Sequence, residues 1–193
     1  ESVYPASKQT APVIIMNGTV HVGNGQVLNN TSVEIRDGKI TNIGAGITAS
    51  ADAFKVDAKG KHVYPGLILA NSNLGLVEVN SIRATIDDSE IGEYNPSVRS
   101  LVAYNTDSKI INTLKTNGIT HANIVPQGGI ISGSSSVVQL DAWNWEDAAY
   151  AVDNNIFMNM PALYNRPSRY GGFGGGQGPQ VDPLKRGIEQ LEE

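Results

Sequence analysis

The chain contains no cysteine, few histidines and aromatic residues, and no cluster of basic residues. Its 193 residues include three histidines and 6% aromatic residues, and the formal net charge is −5. The lack of cysteine excludes disulfide bonds and thiolate metal ligands and leaves the redox compartment open. Dispersed lysines and arginines do not form the basic patch that a nucleic acid requires. No apolar run approaches the roughly 20 residues that span a bilayer, so we expect neither nucleic acid nor membrane as a partner.

The size and composition are those of an ordinary globular protein. Hydrophobic residues make up 40% of the chain, which is enough for one core or two small ones. The sequence starts at Glu1, and residues 1–12 contain no signal-like apolar segment. We therefore expect a mature terminus, which leaves a periplasmic location after signal removal and a cytoplasmic location open, with export slightly favoured.

The first third of the chain predicts a small antiparallel β-sheet. Short β segments are expected at residues 13–16, 19–22, 31–36 and 39–44. Asn17-Gly18 and Asp37-Gly38 lie between them, and such pairs are typical of tight hairpin turns because they tolerate positive φ angles. Alternation of apolar and polar residues in the third segment leaves one apolar face, so the sheet must pack on something else.

After Pro65-Gly66 the pattern changes to strands alternating with helices. Residues 67–70 form a continuous apolar run, typical of a strand that is buried on both faces. Asp107 is a candidate cap for a helix that ends at Asn117-Gly118. Residues 119–125 then predict a second strand, which completes a strand, helix, strand unit.

The last third of the chain is predicted to hold a loop, a strand and a terminal helix. Ser-Gly-Ser-Ser-Ser at residues 132–136 predicts a polar loop, and residues 156–160 predict a third barrel strand. Residues 164–180 are rich in glycine and predict a long loop or linker. Asp182-Pro183 is a good helix start, and the helical pattern reaches Glu193 without a cap. We therefore expect a chain that is cut within a helix.

Taken together, these segments resemble the N-terminal part of the amidohydrolase superfamily. The resemblance rests on five stretches of sequence, at residues 17–20, 35–40, 57–68, 117–126 and 131–133. They are most similar to the imidazolonepropionase-like amidohydrolases, including a branch that lacks the His-x-His pair of the superfamily.

The resemblance implies an α/β fold with two parts. A small N-terminal β-sandwich portion, the composite domain, would cover residues 13–63. Residues 64–193 would form the first strands and helices of an incomplete (β/α)8 or TIM-like barrel, with the glycine-rich loop at residues 164–180. A complete barrel takes about 250 residues, so the remainder of a longer chain or a homo-oligomer partner would have to cover the open edges.

In this superfamily the first barrel strand ends in His-x-His and binds a catalytic metal ion, whereas this chain has Asn71 and Asn73 at those positions. Side chains two residues apart in a strand point to the same face, so the spacing is kept. A neutral amide is a poor replacement for imidazole as a zinc ligand. The family's remaining ligands would lie beyond Glu193. We therefore expect no metal site in this chain alone, with zinc or another divalent metal possible only with those later ligands, and we assign no catalytic residue.

Four further residues are candidates for a pocket. They lie on the second predicted strand and in the loop after the first, and are His121, Asp87, Asp88 and Glu90. Loops at that end of a barrel carry function, but the pattern favours a structural core histidine and a solvated acidic loop over a functional pocket. His21 and His62 are interpreted as surface or structural residues, because no two histidines of the chain have ligand-like spacing.

Two functions remain open. The resemblance implies a hydrolase of carbon–nitrogen bonds other than peptide bonds, acting on a small cyclic amide or N-acyl compound, with this chain inactive on its own. The local chemistry instead favours a non-catalytic protein, either structural or binding a small molecule, on a degenerate amidohydrolase scaffold.

Overall fold

The computed structural model describes residues 5–160 and 183–192, which are organised around two β-sheets. The first sheet contains β1 (Val13–His21), β2 (Val27–Arg36), β3 (Lys39–Gly44), β4 (Phe54–Asp57) and β5 (His62–Val63). The second contains β6 (Leu67–Ser72), β7 (Ile119–Ile124), β8 (Ile131–Gln139) and β9 (Ala149–Met158). The α-helices are α1 (Lys109–Thr116), α2 (Trp145–Ala148) and α3 (Pro183–Glu192), with 3₁₀ turns at Arg83–Thr85 and Ser100–Ala103. In the described ranges no helix is long and apolar enough to cross a membrane.

The first sheet has β1 at its centre. The strand order is β3-β2-β1-β4, and β5 also pairs with β1. The predicted antiparallel pairing is confirmed for β1, β2 and β3, and Asp37-Gly38 forms the hairpin turn between β2 and β3 with φ angles of 51° and 71°. In contrast, β4 and β5 run parallel to β1. The sheet is therefore mixed rather than purely antiparallel.

The prediction of a second hairpin turn at Asn17-Gly18 is wrong, because both residues lie inside β1. Asn17 has a φ of 60°, and the register between β1 and β2 shifts on both sides of Gly18. A β-carbon on Gly18 would lie 3.0 Å from Val63 Cγ2 and 3.2 Å from Ala58 Cβ. The dipeptide therefore makes a bulge that lets the following segment pack closely against β1.

The second sheet confirms the predicted strand, helix, strand unit. Its order is β6-β7-β8-β9, and β6 and β7 are parallel on either side of α1 in the chain. The helix ends at Asn117, followed by Gly118 with a φ of 82°. Its N-cap is Ser108 rather than the predicted Asp107, and the Ser108 hydroxyl donates to Glu78 Oε2 at 3.0 Å.

One prediction for the following segments is wrong, and the other stays untested. Residues 132–136 are not a loop but lie inside β8, and Ser132 and Ser134 to Ser136 are buried there. Residues 156–158 belong to β9, which is antiparallel to β8. Because β8 is itself antiparallel to β7, β9 runs in the same direction as β6 and β7, and its assignment as the third barrel strand stays a prediction. Two of these serines fit a strand interior because their hydroxyls have acceptors nearby: Ser132 Oγ donates to the Gly128 carbonyl at 2.7 Å, and Ser134 Oγ has the Val98 carbonyl at 3.2 Å and Asp153 Oδ1 at 3.0 Å within reach.

The main core lies where the second sheet meets α1 and the 3₁₀ turn at Ser100–Ala103. Its buried side chains include Leu101, Tyr104, Ile111, Ala122, Ile124, Val138 and Leu140. By contrast, Leu67 and Ile68 on β6 and Tyr150 and Ile156 on β9 are 61–72% exposed. The fold is thus mixed α/β with two sheets, and a closed barrel is not present among the described residues.

The division of the chain at residue 64 stays a prediction, since two sheets in one chain do not establish two units that fold separately. The predicted glycine-rich loop at residues 164–180 lies outside the described residues. The predicted terminal helix is confirmed as α3, which begins at Pro183.

Candidate functional site at the end of β6

Asn71 and Asn73 lie at the C-terminal end of β6, and both are exposed. A tight turn follows them. The Leu74 amide donates to Ser72 Oγ at 3.1 Å, and the Leu76 amide donates to the Asn73 carbonyl at 3.0 Å. The two amide side chains therefore stand at a fixed strand end that is open to solvent, although a role for them in binding stays a prediction.

The turn after β6 is anchored on the core by Gly75 and Tyr104. Gly75 has a φ of 70°, and a β-carbon there would lie 2.6 Å from Tyr104 Cδ2. The Gly75 carbonyl accepts the Asn105 amide at 2.9 Å. Tyr104 is buried, its hydroxyl has no hydrogen-bond partner within the described ranges, and burial raises the pKa of Tyr104 above its ordinary value. The ring thus supports the turn by packing rather than by its hydroxyl.

The acidic loop that follows β6 runs to the same edge of the sheet as the two asparagines. The Val125 amide donates to the Ser72 carbonyl at 2.8 Å, which aligns the ends of β6 and β7. Just beyond β7, the Gln127 amide donates to the Asp88 carbonyl at 2.6 Å. Asp87 and Glu90 are exposed and Asp88 is half-buried. The backbone at Asp88 therefore lies at the same edge of the sheet as the end of β6, while a pocket shared by these residues stays a prediction.

The loop continues along β8 and is fastened to it. Isolated bridges join Ser89 to Gln127, Tyr94 to Ile131 and Arg99 to Ser134. The Ile130 and Ile131 amides both donate to the Glu93 carbonyl, at 2.7 and 3.0 Å. Residues 89–99 therefore form a fixed segment beside the strand ends.

One ion pair and two serine hydroxyls hold the C-terminal end of this segment, at Arg99, against β8 and β9. Asp153 accepts from Arg99 Nε at 2.7 Å and from Ser134 Oγ at 3.0 Å, and its own amide donates to Ser136 Oγ at 2.9 Å. Asp153 adopts a φ of 48°, an uncommon value for a residue other than glycine. The carboxylate therefore ties β8, β9 and the loop together.

The side chains at the end of β6 do not fit a zinc ion. Across residues 5–160 and 183–192, no group of three or more histidine, cysteine, aspartate or glutamate side chains is placed to hold a metal. Zinc takes imidazole, thiolate or carboxylate ligands, whereas Asn71 and Asn73 offer amides. The chemistry available at this edge is hydrogen bonding, in which the amides donate and accept and the carboxylates accept.

His121 lies away from this edge. It pairs with Ile68 on β6 and Gln139 on β8, so Asn71 is three residues, about 10 Å, further along the sheet. Its Nδ1 is 2.9 Å from Thr120 Oγ1, and its ring meets Tyr150 edge-on at 4.9 Å. The structure therefore does not bring His121 together with the other candidates, and a pocket that includes it stays a prediction.

Two buried polar residues near the strand ends were missed by the sequence reasoning. Asn123 Nδ2 donates to the Ala70 carbonyl at 3.1 Å, but its Oδ1 has no partner among the described residues. Ser135 Oγ on the neighbouring strand is likewise buried without a partner there. An unpaired buried acceptor is costly, while the bond from Asn123 Nδ2 links β7 to β6 one residue before Asn71. The one available signal was an asparagine between Ala122 and Ile124 in an apolar strand.

A second polar cluster lies at the opposite end of β7. Lys115 and Asp141 form an ion pair, and the Ala6 amide donates to Asp141 Oδ2 at 2.8 Å. Burial alone would raise the pKa of Asp141, but the hydrogen bonds from Lys115 and Ala6 and the lysine charge outweigh it, so its pKa lies below the ordinary value. The cluster borders a cleft of about 430 Å³ that Ile119 also lines.

Comparison with known proteins identifies the fold rather than a narrow activity. No protein-family model and no curated protein matches the sequence. The structure is similar to an amidohydrolase from Thermotoga maritima MSB8, with 23% identity and a TM-score of 0.70 over 94% of this chain. The chain spans 42% of the length of that protein.

Two further solved structures overlap shorter parts of the chain. A putative prolidase from Bifidobacterium longum is 27% identical over 34% of this chain and 17% of its own, with a TM-score of 0.30. A D-hydantoinase is 32% identical over 36% of this chain and 14% of its own, with a TM-score of 0.31.

Proposed function

From the fold that this chain shares with the N-terminal part of an amidohydrolase, we propose that it belongs to a hydrolase of carbon–nitrogen bonds other than peptide bonds. The likeness to the Thermotoga maritima amidohydrolase over 94% of the chain carries the proposal. The substrate class that we propose is a small cyclic amide or N-acyl compound, bound at the strand-end edge defined by Asn71, Asn73 and the acidic loop.

In this proposal the chain contributes binding rather than the metal centre. Asn71 and Asn73 each carry an amide that donates and accepts hydrogen bonds, which suits the carbonyl and N–H of an amide substrate. Neither residue is a good zinc ligand. Any metal chemistry would therefore depend on residues outside this chain, and residues 1–193 alone are proposed to be inactive.

The asparagine pair itself favours the second candidate, a non-catalytic small-molecule-binding protein on the same scaffold. An edge that presents amides and carboxylates can hold a polar ligand without cleaving it. The two candidates share the binding edge and differ in whether bond cleavage follows.

Exposed apolar residues on the outer strands support a macromolecular partner in either case. Leu67 and Ile68 on β6 and Ile156 on β9 leave apolar side chains exposed at both edges of the second sheet. We propose that the remainder of a longer chain or a second copy covers them, which analytical ultracentrifugation of the native protein would test.

The experiment is a hydrolysis assay on the longest natural form of the protein with a panel of small cyclic amides and N-acyl compounds, with and without added divalent metal. Asn71→Ala and Asn73→Ala are each expected to lower kcat/KM about two- to tenfold, the effect of losing a hydrogen bond made to the substrate. Asn80→Ala, at an exposed turn position, is the matched control and is expected to leave kcat/KM unchanged.

Absence of hydrolysis across the panel, combined with measurable binding of a panel member, would replace the hydrolase by the binding protein. Binding or turnover that is unaffected by both asparagine variants would remove the strand-end edge from either function.

A further inference from the structure

Two of the three histidines meet on the first sheet, far from the strand-end edge. β1 and β5 run parallel, with Thr19 opposite His62 and Val20 opposite Val63. This register places His21 and His62 on the same face of neighbouring strands. His21 Nε2 lies 2.9 Å from His62 Nδ1, although the residues are 41 positions apart in the sequence.

We propose that His21 and His62 form a two-histidine binding site for a divalent transition-metal ion of the copper(II) or nickel(II) class. Two imidazole nitrogens at about 2.0–2.1 Å from one ion and at right angles to each other lie about 2.8–3.0 Å apart. The tetrahedral angle preferred by zinc would separate the same nitrogens by about 3.3 Å. The observed 2.9 Å therefore matches two adjacent positions of a tetragonal site.

The ion replaces the proton that the two rings share. Without metal, one of the facing nitrogens carries a hydrogen and the other accepts it. With metal, both facing nitrogens offer lone pairs, and each neutral ring keeps its hydrogen on the remaining nitrogen, His21 Nδ1 or His62 Nε2. The change involves a tautomer shift in one ring and ring rotations that turn both facing lone pairs from each other toward the ion.

Tyr64 holds one of the two ligands in place. Its ring stacks on His21 with centroids 4.1 Å apart and planes at 14°, while the His21 and His62 centroids are 5.1 Å apart. Stacking limits rotation of the His21 ring, so less side-chain entropy is lost when the ion binds. His62 and Tyr64 are exposed, which leaves room for water in the remaining coordination positions.

The proposed order of affinity follows from the donor set. In the described part of the chain no third histidine, cysteine or carboxylate joins the pair as a group able to hold a metal. Two neutral nitrogens plus water give a site whose preference follows the general order of divalent metals, with copper(II) above nickel(II) and nickel(II) above the earlier metals. The site does not depend on the proposed hydrolase or binding function.

The test is to titrate the metal-free protein with copper(II) and with nickel(II) near neutral pH. Calorimetry measures the affinity for each ion, and electron paramagnetic resonance of the copper form counts the coordinated imidazoles. The parent protein is expected to bind copper(II) with two imidazole nitrogens coupled to the electron spin. His21→Ala and His62→Ala are each expected to leave at most one coupled imidazole and to weaken binding at least about tenfold. His121→Ala is the matched control, since it removes the third histidine, and is expected to keep both couplings.

Retention of two coupled imidazoles in either His21→Ala or His62→Ala would overturn the proposal, as would their loss in His121→Ala. Circular dichroism of each variant establishes that it is folded. Should one single variant fail to fold, the other decides the question, because each removes one of only two ligands. Tyr64→Phe keeps the stacked ring and is expected to bind as the parent does.

Discussion

Replacing Gly75 with alanine tests how the end of β6 is held. Gly75 has a φ of 70°, and an added β-carbon would lie 2.6 and 2.7 Å from two ring carbons of Tyr104 and 2.9 Å from the Asn105 carbonyl oxygen. Neither the buried ring nor the backbone oxygen can move away without disturbing the core. We expect Gly75→Ala to destabilise the protein and to displace the turn that carries Asn73.

The magnitude has two parts. A non-glycine residue in left-handed backbone conformation costs about 1–2 kcal/mol. Overpacking against Tyr104 adds about 1–3 kcal/mol. Gly75→Ala should therefore lower the free energy of unfolding by about 2–5 kcal/mol, a large part of the about 5–15 kcal/mol of an ordinary domain.

Gly118→Ala is the matched control. Gly118 also has a positive φ, 82°, but a β-carbon there meets no atom within 4 Å. It should show the backbone cost alone, about 1–2 kcal/mol. Urea unfolding of the parent and both variants, followed by circular dichroism, measures the difference. If Gly75→Ala is no more destabilising than Gly118→Ala, the packing of Tyr104 over the turn does not have the role described here.

Three further predictions concern other parts of the molecule. The folded-state pKa of Asp141 lies below its ordinary value of 3.8, so its ionised form stabilises the protein above that pH, and this contribution is lost as the pH falls through the folded-state pKa. Asp141→Asn should therefore be less stable than the parent at neutral pH, by an amount that shrinks in acid. A difference in the free energy of unfolding in urea that stays constant with pH would contradict this. A double-mutant cycle on the half-exposed Arg99–Asp153 pair should give a coupling free energy of about 0.2–1 kcal/mol that weakens in high salt. Asp153→Ala alone should lower the free energy of unfolding more than Arg99→Ala does, because it also removes an acceptor of the buried Ser134 hydroxyl. Asn71→His combined with Asn73→His should raise zinc affinity at least about tenfold over either single change in calorimetry, since two imidazoles would then share one ion; no gain would show that the two side chains do not converge.

The strand, helix, strand unit was predictable because its signals are local. An apolar run marks β6, and Asn117-Gly118 ends α1 because glycine accepts the positive φ that follows a helix. The same kind of local signal failed at Asn17-Gly18. A positive φ serves a hairpin turn and a bulge equally well, and the pairing of β1 with β2 and β5 decides between them.

The contacts of Ser134 on β8 and of the histidine pair could not be predicted, because their partners are distant in sequence. Ser134 is satisfied by Val98 and Asp153, on opposite sides of it in the chain. His21 and His62 meet only because β5 returns parallel to β1. Sequence spacing gives no warning of either contact.

The loop fastened along β8 has a consequence for how a ligand would be recognised. Three bridges and the Arg99–Asp153 contact fix this segment before any ligand arrives. Little conformational entropy is then left for this segment to lose on binding. We expect slow amide hydrogen exchange in the bridged segment. If the proposed ligand binds at this edge, its selectivity should therefore change through single side chains on or beside this fixed segment, with Asp87 and Glu90 the first positions at which to alter it.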